Sequence, residues 1–186
     1  MTRSQAKKAL AAARLPLLDA EDREGLLLEW TVFEPEQSEL RELPPDLRTE
    51  LRTELRNGLE IEDARDRRLD PLILLAIRQE MRGVRNGYLA AELRALGIAV
   101  EAVEGEEEKL EVCPCCHFRT LLMRHTYEVC PVCFWEDDET TREDKYSPGN
   151  AMTLRQARST YAEIGVVDPS IADFRVEEPE RIYLKA

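Results

Sequence analysis

The sequence predicts an α+β chain. A helical N-terminal domain, residues 1–105, precedes a small β domain, residues 106–186, which a C-terminal helix closes. Three observations predict it. Alanine- and leucine-rich stretches with caps and stops fill the chain up to Gly97. The run from Glu101 to Glu108 is acidic, holds Gly105 and reads as a solvated linker. All five cysteines lie between Cys113 and Cys133, among short apolar runs of β character.

The elements follow in order. Ser4 to Arg14 is Ala-rich and helical, limited by Pro16. Asp19 caps a second helix to about Thr31, with Glu21 and Asp22 in its first turn, where the helix dipole favours them. Leu26, Leu27, Trp30 and Phe33 should face a core. Pro44-Pro45 breaks the chain. A third helix then runs from Pro45 to about Arg56, with Leu47, Leu51 and Leu55 on one stripe and Asn57-Gly58 as its stop. The tandem RTEL unit from Arg48 to Leu55 is a helix with Glu and Arg on its wet face.

Asp70-Pro71 reads as a cap followed by proline at the first helical position. Leu72 to Ile77 is apolar at every position, so this helix should be the most buried, and Gly83 ends it. Asn86 caps a fifth helix through Tyr88, Leu89, Leu93 and Leu96, which Gly97 closes. Arg78, Arg82, Arg85 and Arg94 make this helix pair slightly basic, a faint helix-turn-helix signal. The second helix offers few side chains to read bases, which favours a core helix pair. Ile98 to Val103 has β-branched residues and predicts a short strand.

Beyond Lys109, Leu110, Val112, Phe118, Leu121, Leu122, Tyr127 and Val129 sit in strand-like runs. Pro148-Gly149 marks a turn. Thr153 and Gln156 have capping-box spacing and open a last helix to about Ile164, with Gly165 as its stop. Leu154, Ala157, Tyr161 and Ile164 share one face of it. The tail from Asp168 is irregular, with a strand at Arg181 to Leu184.

The 186 residues carry 26 basic and 38 acidic side chains, a formal charge of −12. That balance argues against broad binding to a phosphate backbone and points to basic partners. No stretch approaches the ~20 apolar residues of a membrane helix. Arg3, Lys7, Lys8 and Arg14 are scattered through the N-terminus, unlike a signal peptide, so a cytoplasmic location is expected. Clustered cysteines in odd number fit a metal site in a reducing compartment better than a disulfide framework.

Cys113-Pro114-Cys115-Cys116 and Cys130-Pro131-Val132-Cys133 each contain a C-P-x-C unit. In such a unit two thiolates converge on one ion, and the proline preorganises the turn. The thirteen residues from His117 to Val129 allow a hairpin that sets one turn beside the other. Four thiolates in a closed tetrahedron make a structural zinc site, so Cys113, Cys116, Cys130 and Cys133 are the candidate ligands of one Zn2+ per chain. Iron or a redox role is the alternative. Cys115 lies inside the first turn. It is either a packed or surface thiol, or a redox-sensitive or alternative ligand. His117 and His125 read as surface or hairpin residues, because four thiolates already fill the site.

This region resembles the cysteine-rich CPCC domain proteins, a bacterial family that looks like zinc ribbons. The matching residues are Cys113 to Cys116, then Thr120-Leu121-Leu122, then Cys130 to Asp138. Gly149-Asn150, Thr153-Leu154, Gln156-Ala157 and Ile164-Gly165 fit the family's turn-and-helix ending. The N-terminal helices look like the leader of longer members. The family's usual glycine after CPCC is His117 here, a residue that adopts positive φ only at a cost. The resemblance implies a zinc-ribbon-like fold. It also implies a small intracellular protein and a role as an immunity protein that neutralises a toxin.

Glu136-Asp137-Asp138-Glu139 beside Trp135 allows three readings. A carboxylate metal site is poor, because adjacent residues cannot easily converge on one ion. An acidic anchor for a basic partner would use Trp135, Glu136, Asp137 and Asp138. In the third, Phe134 and Trp135 pack the small domain while the carboxylates are solvated. No nucleophile elbow, phosphate loop or Ser/His/Asp order is present, so no enzyme activity is expected. The leading expectation is a zinc-stabilised protein that binds a basic partner, plausibly a cognate toxin. A nucleic-acid-associated zinc ribbon and a thiol enzyme using Cys115 are the alternatives.

Overall fold

Thr2 and Gln5 start the first helix reciprocally. The Gln5 N–H donates to Thr2 Oγ1 at 3.3 Å, and the Thr2 N–H donates to Gln5 Oε1 at 2.9 Å. Helix α1 then runs Arg3–Arg14 and ends in a 3-10 turn, Leu15–Leu17, at Pro16. The computed structural model describes residues 1–28, 30, 40–41, 43–49 and 63–186. These form two compact units, Met1–Met81 with Leu89–Val103, and Arg82–Tyr88 with Glu104–Ala186. The sequence division at residue 105 is a single cut, whereas the units interleave. Residues 82–88 join the second unit because Val84 bridges Tyr183 and the Arg85 N–H donates to the Ile182 carbonyl at 2.8 Å.

In the first unit, Asp19 and Asp22 bond each other's N–H groups (2.9 and 3.2 Å) to open α2, Ala20–Leu28. Helix α3, Asp70–Glu80, packs against both α1 and α2. It buries Leu72, Ile73, Leu75, Ala76 and Ile77, as the apolar run predicts, against a core that includes Leu10, Leu27 and Trp30. Asp70 is not the cap of α3. Asp66 caps a 3-10 turn, Arg67–Leu69, that runs straight into the helix, so the start signal lies one turn upstream. Asp70 instead receives Arg23 Nη2 at 2.7 Å.

Helix α4, Asn86–Ala95, buries Leu89, Ala90 and Leu93, and Gly97 beyond it takes φ +77°. The expected strand at residues 98–103 is absent among the described residues. The Ala102 carbonyl accepts from the Met1 ammonium (2.9 Å), and no ladder forms there. Residues 45–49 are helical. Thr31, Phe33, Leu51, Leu55, most of the RTEL repeat and the Asn57-Gly58 stop lie outside the described residues.

In the second unit the acidic run is more than a solvated linker. Glu107 Oε1 accepts from the Asn86 N–H (2.7 Å), Glu108 Oε2 from the Gly83 N–H (3.3 Å), and the Gly105 carbonyl from Asn86 Nδ2 (2.8 Å). Strand β1, Glu111–Val112, pairs antiparallel with β2, Arg119–Leu121, through a bulge. The C-terminal residues lie along β2, where Phe118 bridges Lys185 and the Arg119 N–H donates to the Leu184 carbonyl (2.8 Å).

A hairpin of β3, Tyr146–Ser147, and β4, Met152–Thr153, flanks the Pro148-Gly149 turn. Thr153 and Gln156 close a capping box on α5, Leu154–Ile164, and Gly165 ends it at φ +82°. The predicted strand at Arg181 to Leu184 gives way to a helical turn, α6, Pro179–Ile182, because Pro179 sits at its start. Only single bridges at Tyr183 and Lys185 remain. Among the described residues, no helix is long and apolar enough to cross a membrane.

Candidate metal centre

Both C-P-x-C turns fold the same way. In the first, the Cys113 N–H donates to the Phe118 carbonyl (2.9 Å) and the His117 N–H to the Cys113 carbonyl (3.0 Å). In the second, the Cys130 N–H donates to the Trp135 carbonyl and the Phe134 N–H to the Cys130 carbonyl, both at 2.9 Å. The residue after each pair is left-handed, His117 at φ +66° and Phe134 at φ +65°. The next residue, Phe118 or Trp135, is fully buried. The sequence flagged this conformation at His117 alone. Aligning the two turns residue by residue would have flagged Phe134 as well.

The repeated turn brings four sulfurs together. Cys113, Cys116, Cys130 and Cys133 have Sγ atoms all within 4.8 Å of one another, and all four residues are buried. The Cys113–Cys133 and Cys116–Cys130 pairs are each 3.6 Å apart. A tetrahedron with ~2.3 Å metal–sulfur bonds has edges of about 3.8 Å, so the donor set fits a four-thiolate ion. Cys115 is buried and is not one of the four.

The thiols divide their protons unequally. Contact with Cys116 and Cys130 pushes the Cys113 thiol up, and burial pushes Cys133 up. Burial also opposes charge on Cys130, but hydrogen bonds from Cys113, Cys116, Cys133 and Thr120 hold it well below the usual thiol range. Thr120 Oγ1 lies 3.1 Å from that sulfur, a contact the sequence did not announce. A divalent cation would replace these protons, so its binding is linked to pH.

Helix α5 braces the first turn from 44 residues away: Arg158 Nε and Nη2 both donate to the Pro114 carbonyl, at 3.0 and 2.8 Å. Glu143 holds the same guanidinium through Nη1. The Val167 N–H donates to the Cys133 carbonyl (2.9 Å), which ties the end of the helix to the second turn. Burial, and then the sulfur charges, push the Tyr161 hydroxyl up.

The acidic block corrects two sequence expectations. Trp135 and Asp137 are 0% exposed and Asp138 is 6% exposed, so these three present no surface to a partner, and the two carboxylates are not solvated. Glu136 is only half-buried. Asp137 is taken up by Arg124 Nε and Nη2 (2.8 and 3.2 Å) and by the His125 N–H (2.8 Å). Asp138 accepts from Ser147 Oγ and the Thr140 N–H, both at 2.7 Å. Asn150 bonds both the N–H and the carbonyl of Glu136, each at 2.9 Å. Asp137 and Asp138 are therefore a buried brace that fixes the chain leaving the second turn. His125 joins it through Nδ1, 3.0 Å from the Asp138 carbonyl, and no histidine enters the sulfur cluster.

Two cysteine turns, two small two-stranded sheets and a closing helix around buried sulfurs define a cysteine-rich, zinc-ribbon-like domain with a site for a metal ion. Residues 111–181 match the family model described as cysteine-rich CPCC, and this part of the chain is a cysteine-rich CPCC domain. Neither the curated proteins nor the solved structures gave a match.

Proposed function

We propose that the CPCC domain is a structural zinc module, held by Cys113, Cys116, Cys130 and Cys133, in a protein that binds a basic partner rather than performing catalysis. The observation that carries this reading is the convergence of four buried sulfurs within 4.8 Å of one another. Four thiolates complete a tetrahedron and leave no position for a substrate. Burial of all five thiols supports a structural over a nucleophilic role. The excess of 38 acidic over 26 basic residues supports a basic partner. The narrower form of this reading, from the family resemblance, is neutralisation of a cognate toxin in the cytoplasm.

The test is elemental analysis of the full chain purified without added metal. About one zinc per chain is expected for a four-thiolate site. Cys116→Ser and Cys130→Ser should lose it. Full zinc retention in both variants would refute the ligand set.

A further inference from the structure

The loop between the two cysteine turns is built at a cost that the metal site does not explain. Between residues 122 and 129, four large apolar side chains face solvent: Leu122 is 51% exposed, Met123 61%, Tyr127 61% and Val129 49%. Single exposed apolar residues are ordinary, but four within eight residues concentrate apolar surface in one loop. Hydrogen bonds close the loop beneath them. Glu128 Oε2 accepts from the Leu122 N–H (2.7 Å) and the Met123 N–H (3.4 Å), which closes it. The Tyr127 N–H donates to the Asp137 carbonyl (3.0 Å) and the Asp137 N–H to the Glu128 carbonyl (2.9 Å).

His125 and Tyr127 are left-handed, at φ +64° and +62°. Residues other than glycine adopt that conformation against a steric penalty, and such strain gathers where a loop is held for use. The Arg124 ion pair with the fully buried Asp137 locks this geometry. The fold thus spends strain and a desolvated carboxylate to keep tyrosine, methionine and leucine in water. These are side chains that anchor protein interfaces once desolvated.

Charge identifies the occupant. Of the seven acidic side chains in residues 122–145, Asp137 pairs with Arg124, Asp138 is buried, and Glu143 and Asp144 pair with Arg158 and Arg142; Glu128, Glu136 and Glu139 remain, against Lys145. Two copies meeting through this loop would bring like charges together. We propose that loop 122–129 is the recognition surface of the CPCC domain. Its partner is a protein segment with an apolar face bordered by lysine and arginine. The proposal rests on the reading of this chain as a zinc-stabilised binding protein, and it names the surface.

The test uses the full zinc-loaded chain and two synthetic amphipathic helical peptides of equal length. Both share the same leucine face, and their polar face is either all lysine or all glutamate. Amide NMR shifts map contact, and anisotropy gives affinity. The lysine peptide should shift residues 122–129 most and bind at least about tenfold more tightly than the glutamate peptide. Leu122→Ser and Tyr127→Asn should each weaken it about tenfold while zinc content stays unchanged. Asparagine tolerates the left-handed backbone, so Tyr127→Asn keeps the loop intact.

Three outcomes would overturn the proposal. The first is binding centred on residues 136–144 that both variants retain. The second is absence of binding by either peptide. The third is self-association of the chain that Leu122→Ser abolishes. Loss of zinc from the wild-type chain would refute the module reading itself. Retained zinc with an unresponsive loop would refute only the surface.

Discussion

His117→Gly should strengthen the metal site. His117 takes φ +66° where the chain leaves the first cysteine turn. An L-residue there costs roughly 1–2 kcal/mol relative to right-handed backbone. Glycine removes that penalty but loosens the unfolded chain, which returns about 0.5–1 kcal/mol. Nothing else is lost. The histidine side chain is exposed, and its two hydrogen bonds in the turn come from the backbone, the N–H to Cys113 and the carbonyl from Ala186.

The net gain is about 0.5–1 kcal/mol. Because the turn folds around its ion, this should appear as zinc affinity roughly two- to fivefold tighter, measured by competition with a chelator. Phe134 at φ +65° is the control. Phe134→Gly relieves the same strain but gives up a half-buried ring, so it should bring no gain. Unchanged or weaker zinc binding in His117→Gly would refute the argument that the left-handed turn is strained.

Asp137→Asn should destabilise the domain by roughly 2–4 kcal/mol in chemical denaturation, since it removes a buried charge bonded to Arg124 and to the His125 N–H. Arg124→Met in the same background should cost little more, and simple additivity would show that the pair is not coupled. For Asp138, burial pushes the carboxyl up, but the Ser147 hydroxyl and the Thr140 N–H and hydroxyl more than offset it, leaving it below the usual range. A depressed carboxyl stabilises the fold above its unfolded value of about 3.9 and stops doing so as pH falls through its lower folded value. The stability difference between wild type and Asp138→Asn should therefore hold from pH 7 to about 5 and narrow only below about 4. A difference already shrinking at pH 6 would contradict it. Cys115→Ala should keep its zinc on elemental analysis while Cys133→Ala loses it, because Cys115 lies outside the converging set. Thr153→Ala should cost about 1 kcal/mol by removing the capping box of α5, read from the thermal midpoint.

Features that neighbouring residues decide are legible in the sequence alone. Two C-P-x-C turns place paired sulfurs regardless of what surrounds them, and the Thr153–Gln156 spacing starts α5 with Gly165 ending it. The interruption of regular structure at Pro16 and the burial of Leu72, Ile73, Leu75, Ala76 and Ile77 are legible for the same reason, because backbone sterics and apolar patterning act over a few residues. Which polar groups go inside is set by long-range packing. Nothing local marks Asp137 as buried and Glu139 as exposed. That choice is made by Arg124, Ser147 and Asn150, which meet the acidic block only once the chain has folded back. The brace of Arg158 on Pro114 spans 44 residues. The pairing of Val84 with Tyr183, which moves residues 82–88 into the second unit, spans more than twice that. A buried charge is stable only with its partner in place, and that partner is set by the fold rather than by the residues beside it.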